Sequence, residues 1–308
     1  MIRRTLEELN LIDDYLMSSI ASDPIVGEAC CKKILSVLLQ RDIGRVHVYT
    51  QTIIPGDETD LRGIRMDVEV KELTGPEGKE TVANIYDIEP HTKNDLNFPR
   101  HNRFYQAKID GHHLKSGEND FDRLPNLYVI TITNFDVFDK DYMMYSFRNR
   151  CDEIPELEYN DGLCFVYFNT KGKKGGSQAI KNMLNYIQKS VTENVADEAT
   201  SEIATYVKHV KSDPAVKEGI MTLGYYLDQE REEGIEIGSF NTKINDILEL
   251  LEDLGPVSDD VKRRLEGIKD LDELSRLHKV AARSKNIEEF ERELPKKSAN
   301  DLSDIQQA

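Results

Sequence analysis

Apolar and polar positions along the chain follow two periods, and the switch between them organises the sequence. Behind Asp23-Pro24, Ile34, Leu35, Val37, Leu38 and Leu39 run to Gln40 at helical density. Asp can cap such a helix and Pro suits its first turn. From residue 46 the period drops to two. Val46, Val48 and Tyr49 lead to Ile53-Ile54, and Ile64, Met66, Val68 and Val70 then alternate with Arg65, Asp67 and Glu69. The turn residues of LTGPEG (73–78) and the run Val82–Glu89 predict an antiparallel hairpin over 64–89. Pro99 opens a predicted helix to about Leu114. Phe104, Ala107, Gly111 and Leu114 lie on one side of it, and Arg103, Gln106 and Asp110 form a polar row turned by about 100°. Leu127–Ile132 is the most strand-like run, Tyr142–Phe147 and Leu163–Phe168 offer two more strands, and everything from about Gly175 reads as helix.

The expected architecture is a mixed α/β domain over residues 1–192, a helical region over 193–295 and a frayed tail over 296–308. In the helical region Asp270 with Glu273 and Asn286 with Glu289 have capping-box spacing.

Composition narrows the classes. The 308 residues are 39% hydrophobic, which suffices for a core and argues against a disordered chain. No run of about 18 apolar residues marks a membrane span, and no signal-peptide pattern follows Met1. Cys30 and Cys31 lie in an apolar helical stretch, and with Cys151 and Cys164 they form neither CxxC spacing nor a secreted framework. A reduced, cytoplasmic protein without membrane partners is the expectation. The formal charge of −17 opposes wholesale attachment to DNA. That charge is uneven, however: residues 191–308 carry −11 and residues 1–190 carry −6, while 171–190 hold five lysines and no acid. Arg100, Arg103, Lys108 and Lys115 likewise outnumber Asp110 over 100–115. A local basic surface remains compatible with DNA, with weak and strongly salt-dependent binding by the whole chain.

Asp67 lies on the second predicted strand; Glu89 and His91, two residues apart, leave the same face of the third. If the strands pair, Asp67 and Glu89 meet as a hard-oxygen set suited to Mg²⁺ or Mn²⁺, with the Pro90 carbonyl as a further donor. Arg65 and Arg103 offer the competing account, in which they simply neutralise these acids. Arg62–Val68, then Tyr86–His91, then Arg100–Gln106 together resemble the PD-(D/E)xK nucleases of the transposase-like, recombination-promoting family. The stretch DGHHLKSG (110–117), Tyr128–Ile132 with Phe135-Asp136, and Asp161-Gly162 before a strand ending in Asn169 extend the match over about residues 10–235.

The resemblance implies a restriction-endonuclease-like fold with an αβββαβ core and Mg²⁺-dependent DNA cleavage, with Asp67 and Glu89 as the metal-binding acids. Arg103, Tyr105 and Gln106 match the family's helix motif beside the site, and Arg65 and Arg103 would hold the phosphate. The position that carries lysine in most such nucleases, and often glutamine in this family, is His91. Histidine supplies lysine's charge only when protonated and otherwise acts as a neutral base. The alternative expectation is therefore a catalytically weakened DNA-binding or protein-interaction module with the same fold. A homo-oligomer through the C-terminal helices is a further expected partner. Glu28 is the residue that a supporting acid would occupy, against an ordinary surface glutamate. His101, His112 and His113 read as exposed histidines, Tyr225-Tyr226 as helix packing, and the Lys171–Gly176 loop as either solvated or touching a DNA backbone.

Overall fold

The computed structural model describes residues 4–56, 62–114 and 120–295. The chain divides into two compact units, Met1–Met221 and Thr222–Ala308.

A six-stranded mixed sheet forms the first unit. Its strands are β1 (Arg45–Ile54), β2 (Ile64–Thr74), β3 (Thr81–His91), β4 (Asn126–Thr133), β5 (Met144–Phe147) and β6 (Leu163–Asn169), in the order β1-β2-β3-β4-β6-β5. The expected hairpin is present: β2 and β3 pair antiparallel, as do β1 with β2 and β5 with β6. β3, β4 and β6 run parallel. β4 is covered on both faces, which is why Leu127–Ile132 is a nearly continuous apolar run without alternation.

Helices α1 (Asp14–Ala21), α2 (Gly27–Leu39), α4 (Gln178–Gln188) and α5 (Glu198–Ser212) share one core with Val68, Tyr86, Ile88, Ile130 and Phe168 of the sheet. Helix α3 (Phe98–His113) packs on the other face, over Ile54, Ile64, Met66, Ile85, Leu127 and Val129. Cys30 and Cys31 are buried in the first core, as expected.

Several expectations change. Asp23 accepts hydrogen bonds from the backbone N–H groups of Ile25 and Val26, so it shapes a turn and α2 starts only at Gly27. The turn is tight because α1 and α2 nearly touch: a Cβ on Gly27 would lie 2.4 Å from the Ala21 carbonyl oxygen. Helix α3 is rotated relative to its predicted apolar side. Phe98, Asn102 and Ile109 are buried while Phe104 and Ala107 are exposed. The sheet beneath is partly polar and selects a polar seam, in which Asn102 donates to Thr131 Oγ1 at 2.8 Å and Tyr105 donates to the Arg65 carbonyl at 3.2 Å.

The first unit also extends past residue 192. α5 buries Ile203, Val207 and Val210 in the core beneath the sheet, so it cannot be cut from it without exposing that surface. Helix α6 (Pro214–Glu252) begins in this unit, where Tyr15 donates to the Val216 carbonyl at 2.7 Å, and ends in the second.

The second unit gathers the end of α6, α7 (Asp259–Glu266), α8 (Leu271–Ala281) and α9 (Ile287–Glu293) around Ile247, Leu251, Leu265, Leu277 and Phe290. Asp270 and Asn286 cap α8 and α9 through the N–H groups of Glu273 and Glu289. Tyr225 and Tyr226 are exposed, contrary to their expected packing role. Lys115 and the tail 296–308 lie outside the described residues.

Because Ile203 is fully buried in the core that α5 shares with α1, α2 and α4, Ile203→Ala should destabilise the first unit by about 3 kcal/mol. Native-state hydrogen exchange checks this: amides of β4 and α5 should lose protection together. Loss confined to α5 would separate it from the sheet unit.

Candidate active site

The β2–β3 ladder runs from Thr74↔Thr81 to Val68↔Ile88 and stops there, although both strands continue. Beyond it, Ile64, Arg65 and Met66 stay paired with β1 alone. The next facing residues are Asp67 and Glu89. The Glu89 carboxylate takes the place of a ladder carbonyl and accepts the Asp67 backbone N–H at 3.0 Å. Opposite the fork on β1, Gln51 adopts a left-handed conformation (φ 54°); its side-chain amide donates to Ser18 Oγ at 3.2 Å and favours the ionised form of Asp67. The fork thus sets the Glu89 carboxylate on the Asp67 backbone, within reach of the Asp67 charge.

Asp87, Glu89 and His91 share one face of β3, on the α3 side. Asp87 is fully buried, and among the described residues no hydrogen-bond donor serves either of its oxygens unless the neighbouring Glu89 carboxyl carries a proton. Glu89 is 3% exposed. Burial, opposed by pairing with the Glu89 carboxyl and reinforced by the Asp67 and Glu69 charges, pushes Asp87 up to about 8. Glu89 lies well above the usual carboxylate range through burial and the neighbouring Asp87 and Asp67. Asp67 rises to about 6, through burial and then Asp14 of α1, against the opposing pull of Arg65. These acids repel one another in a poorly solvated place, an arrangement that stabilises their neutral forms until a cation arrives.

The His91 ring packs edge-on against Phe98 and His101, with centroids at 5.1 and 5.8 Å. Its Nε2 is 3.9 Å from Glu89, beyond hydrogen-bond range, and has no hydrogen-bond partner among the described residues. Burial first, and His101 second, lower its pKa to about 4, so it is neutral at pH 7.

The sequence-derived set therefore separates. Asp67, Glu89 and His91 converge, and Tyr105 ties α3 to the forked end of β2. Arg65 is exposed and acts on Asp67 only through its charge. Arg103 is exposed on α3 and has no ion pair among the described residues. Gln106 is turned away, donating to Asp110 one helical turn on. Neither arginine neutralises the acids by contact. Glu28 pairs with His47 at 2.8 Å on the surface, and it is Asp14 instead that approaches Asp67. His101 is half-buried beside His91 rather than exposed. Sequence reasoning missed Asp87 and Asp14. The i, i+2 spacing that links Glu89 to His91 reaches Asp87 in the other direction, whereas Asp14 carried no local signal.

Comparison with protein-family models, with curated proteins and with solved structures gave no match. The chemistry of the site is then judged on its own donors. Among the described residues no three His, Cys, Asp or Glu side chains form a ready metal cage. The donor set nonetheless fits a hard divalent cation. It consists of carboxylate oxygens without thiolates, and the orphaned oxygens of Asp87 lie next to Glu89.

A raised carboxyl pKa has a definite stability sign. The folded state keeps a proton that the unfolded chain releases above about 4, so metal-free stability falls as pH rises from there to about 8. Asp87→Asn should remove this loss, gaining about 2 kcal/mol or more at pH 8 and almost nothing near pH 4. Urea unfolding in EDTA at the two pH values measures it; an equal effect at both would contradict the burial of an unpaired acid.

Proposed function

We propose that the chain is a Mg²⁺-dependent DNA endonuclease with a restriction-endonuclease-like αβββαβ core, acting in the cytoplasm, and that Mn²⁺ can substitute for Mg²⁺. The observation that carries this reading is the fork between β2 and β3, where Asp67 and Glu89 meet beside the buried Asp87. The resemblance to PD-(D/E)xK nucleases assigns the metal to those same two acids. The order α2, β1, β2, β3, α3, β4 agrees with the same pattern.

In this reading Asp67 and Glu89 hold the cation, and Asp87 adds negative charge behind them. The chemistry that a divalent ion supplies there is electrophilic: polarisation of a phosphoryl oxygen and acidification of water. The chain's own residues do the rest. His91, neutral and with Nε2 unpartnered beside Glu89, orients the attacking water and accepts its proton. Water oxygen bonds to phosphorus in line as the phosphorus–oxygen bond to the leaving sugar breaks, and the departing oxygen takes a proton from solvent. Arg65, exposed at the start of β2, and Arg103, exposed on α3, are free to hold phosphate oxygens. Tyr105 keeps α3 fixed over the fork.

One observation favours a second reading. A neutral His91 brings no positive charge to the place of the family's lysine, which fits a catalytically weakened module that still binds DNA or protein. The two readings separate in one assay. Purified protein with plasmid and Mg²⁺ should nick or linearise the DNA, EDTA should stop the reaction, and Asp67→Ala should lower the rate at least about a hundredfold. His91→Gln should lower it as well. No cleavage by the natural sequence, together with a gain of cleavage in His91→Lys, would instead establish the weakened module.

A further inference from the structure

Two segments at opposite ends of β6 carry opposite charge, although Asp139 and Asp141 also lie at its basic end. The segment 151–161, which leads into the start of β6, has five acids and neither lysine nor arginine. At the far end, residues 170–181 following β6 have four lysines and no acid. This basic end is also the end at which β3 delivers His91: His91, Thr133 and Asn169 stand side by side in the parallel register. The lysine loop therefore begins two strands across from the candidate active site, about 10 Å away at ordinary strand spacing.

The loop is built rather than loosely attached. Lys173 and Lys174 donate their backbone N–H groups to the Asp141 carbonyl at 3.0 and 2.8 Å, and Met143 donates back to the Lys174 carbonyl at 2.8 Å. Gly172 lies so close to this neighbouring segment that a Cβ would meet the Tyr142 carbonyl oxygen at 2.5 Å. Gly175 and Gly176 take positive φ angles of 65° and 73°, which an ordinary side chain would strain. The neighbouring segment is fixed in turn by Asp136, whose carboxylate accepts the backbone N–H groups of Phe138, Lys140 and Asp141 and the Tyr145 hydroxyl. Asp136 thus spends its charge inside its own turn. Lys171, Lys173 and Lys174 are all exposed, but Lys174 lies over the Tyr142 ring and donates Nζ to the Lys140 carbonyl, whereas Lys171 and Lys173 have no ion pair among the described residues.

We propose that this stapled loop is a docking platform for the DNA backbone, in which Lys171 and Lys173 take phosphates flanking the one positioned at the Asp67–Glu89 fork. The proposal rests on the endonuclease reading for its register, while its binding test is independent of cleavage. Charge complementarity identifies the occupant. An offset of about 10 Å corresponds to roughly three nucleotides of rise along one strand, so a duplex seated at the fork continues over the loop. Fixed lysines on a preorganised backbone lose less ordering entropy on binding than lysines on a disordered tail. The acidic segment 151–161, at the opposite end of the sheet, repels the duplex and so sets which end it approaches.

The test uses the full chain and a fluorescently labelled duplex several helical turns long, with anisotropy titrated in EDTA over a series of salt concentrations. Lys171→Gln with Lys173→Gln should weaken binding about tenfold and lower the slope of log affinity against log salt by about two. Lys171→Arg with Lys173→Arg should keep both. An unchanged affinity and slope in the glutamine variant, with its melting temperature unaltered, would overturn the proposal. Plasmid cleavage by the natural chain and by Asp67→Ala, run in parallel, separates the two claims. Mg²⁺-dependent cleavage lost in Asp67→Ala, with no binding defect in the glutamine variant, sinks the platform alone. A binding defect without any cleavage by the natural chain supports the platform and sinks the endonuclease reading.

Discussion

The structure turns on acids that face one another where two strands part. Glu89 and Asp87 are almost wholly removed from water on β3, and Asp67 joins them from β2 through the hydrogen bond that ends the ladder. Leaving buried carboxylates without cationic partners costs several kcal/mol, and apolar residues of similar volume would remove the cost. Such a price in stability is characteristic of functional sites, and here its natural relief is a divalent cation. That single constraint accounts for the fork, for the left-handed Gln51 opposite it, and for the polar seam under α3.

The rest of the first unit keeps the fork rigid. On the opposite face of β3, Tyr86 is fully buried against Tyr128, with ring centroids 5.1 Å apart, and its hydroxyl donates to Glu72. Arg41 stacks over both rings at 5.5 and 4.9 Å, and Glu72 also accepts the Gly44 N–H and the Asn84 amide. This polar cluster closes one end of the core shared by α1, α2, α4 and α5. On the near face, the Asn102–Thr131 hydrogen bond and the buried Phe98 and Ile109 anchor α3, so His91 is clamped between a strand end and a helix. Positioning of this kind, set by side chains whose own contacts are satisfied, is what hydrolysis at a phosphate demands.

Much of this was legible in the sequence because it depends on local periods. The alternation over 64–70 and 82–89 gave the hairpin, its register brought Asp67 to Glu89, and the continuous apolar run of 127–132 marked the central strand. What escaped was nonlocal. The face of α3 was misassigned because Phe104 and Ala107 are the apolar choice for a helix considered alone, whereas the sheet below offered Thr131 and the Arg65 carbonyl as partners. The boundary near 192 fell too early because α5 resembles the later helices in period, and only packing reveals that Ile203 and Val207 belong to the sheet's core. Asp14 approaches Asp67 from a short helix with no motif to announce it. The neutrality of His91 likewise follows from burial beside Phe98 and His101, which spacing cannot show.

The most direct test of the central claim is anomalous diffraction from a crystal soaked with Mn²⁺ at mildly alkaline pH, where the carboxylates can ionise. The account predicts a manganese peak between Asp67 and Glu89, with Asp87 drawn toward it directly or through water. Full occupancy elsewhere on the chain, with the fork empty, would contradict it.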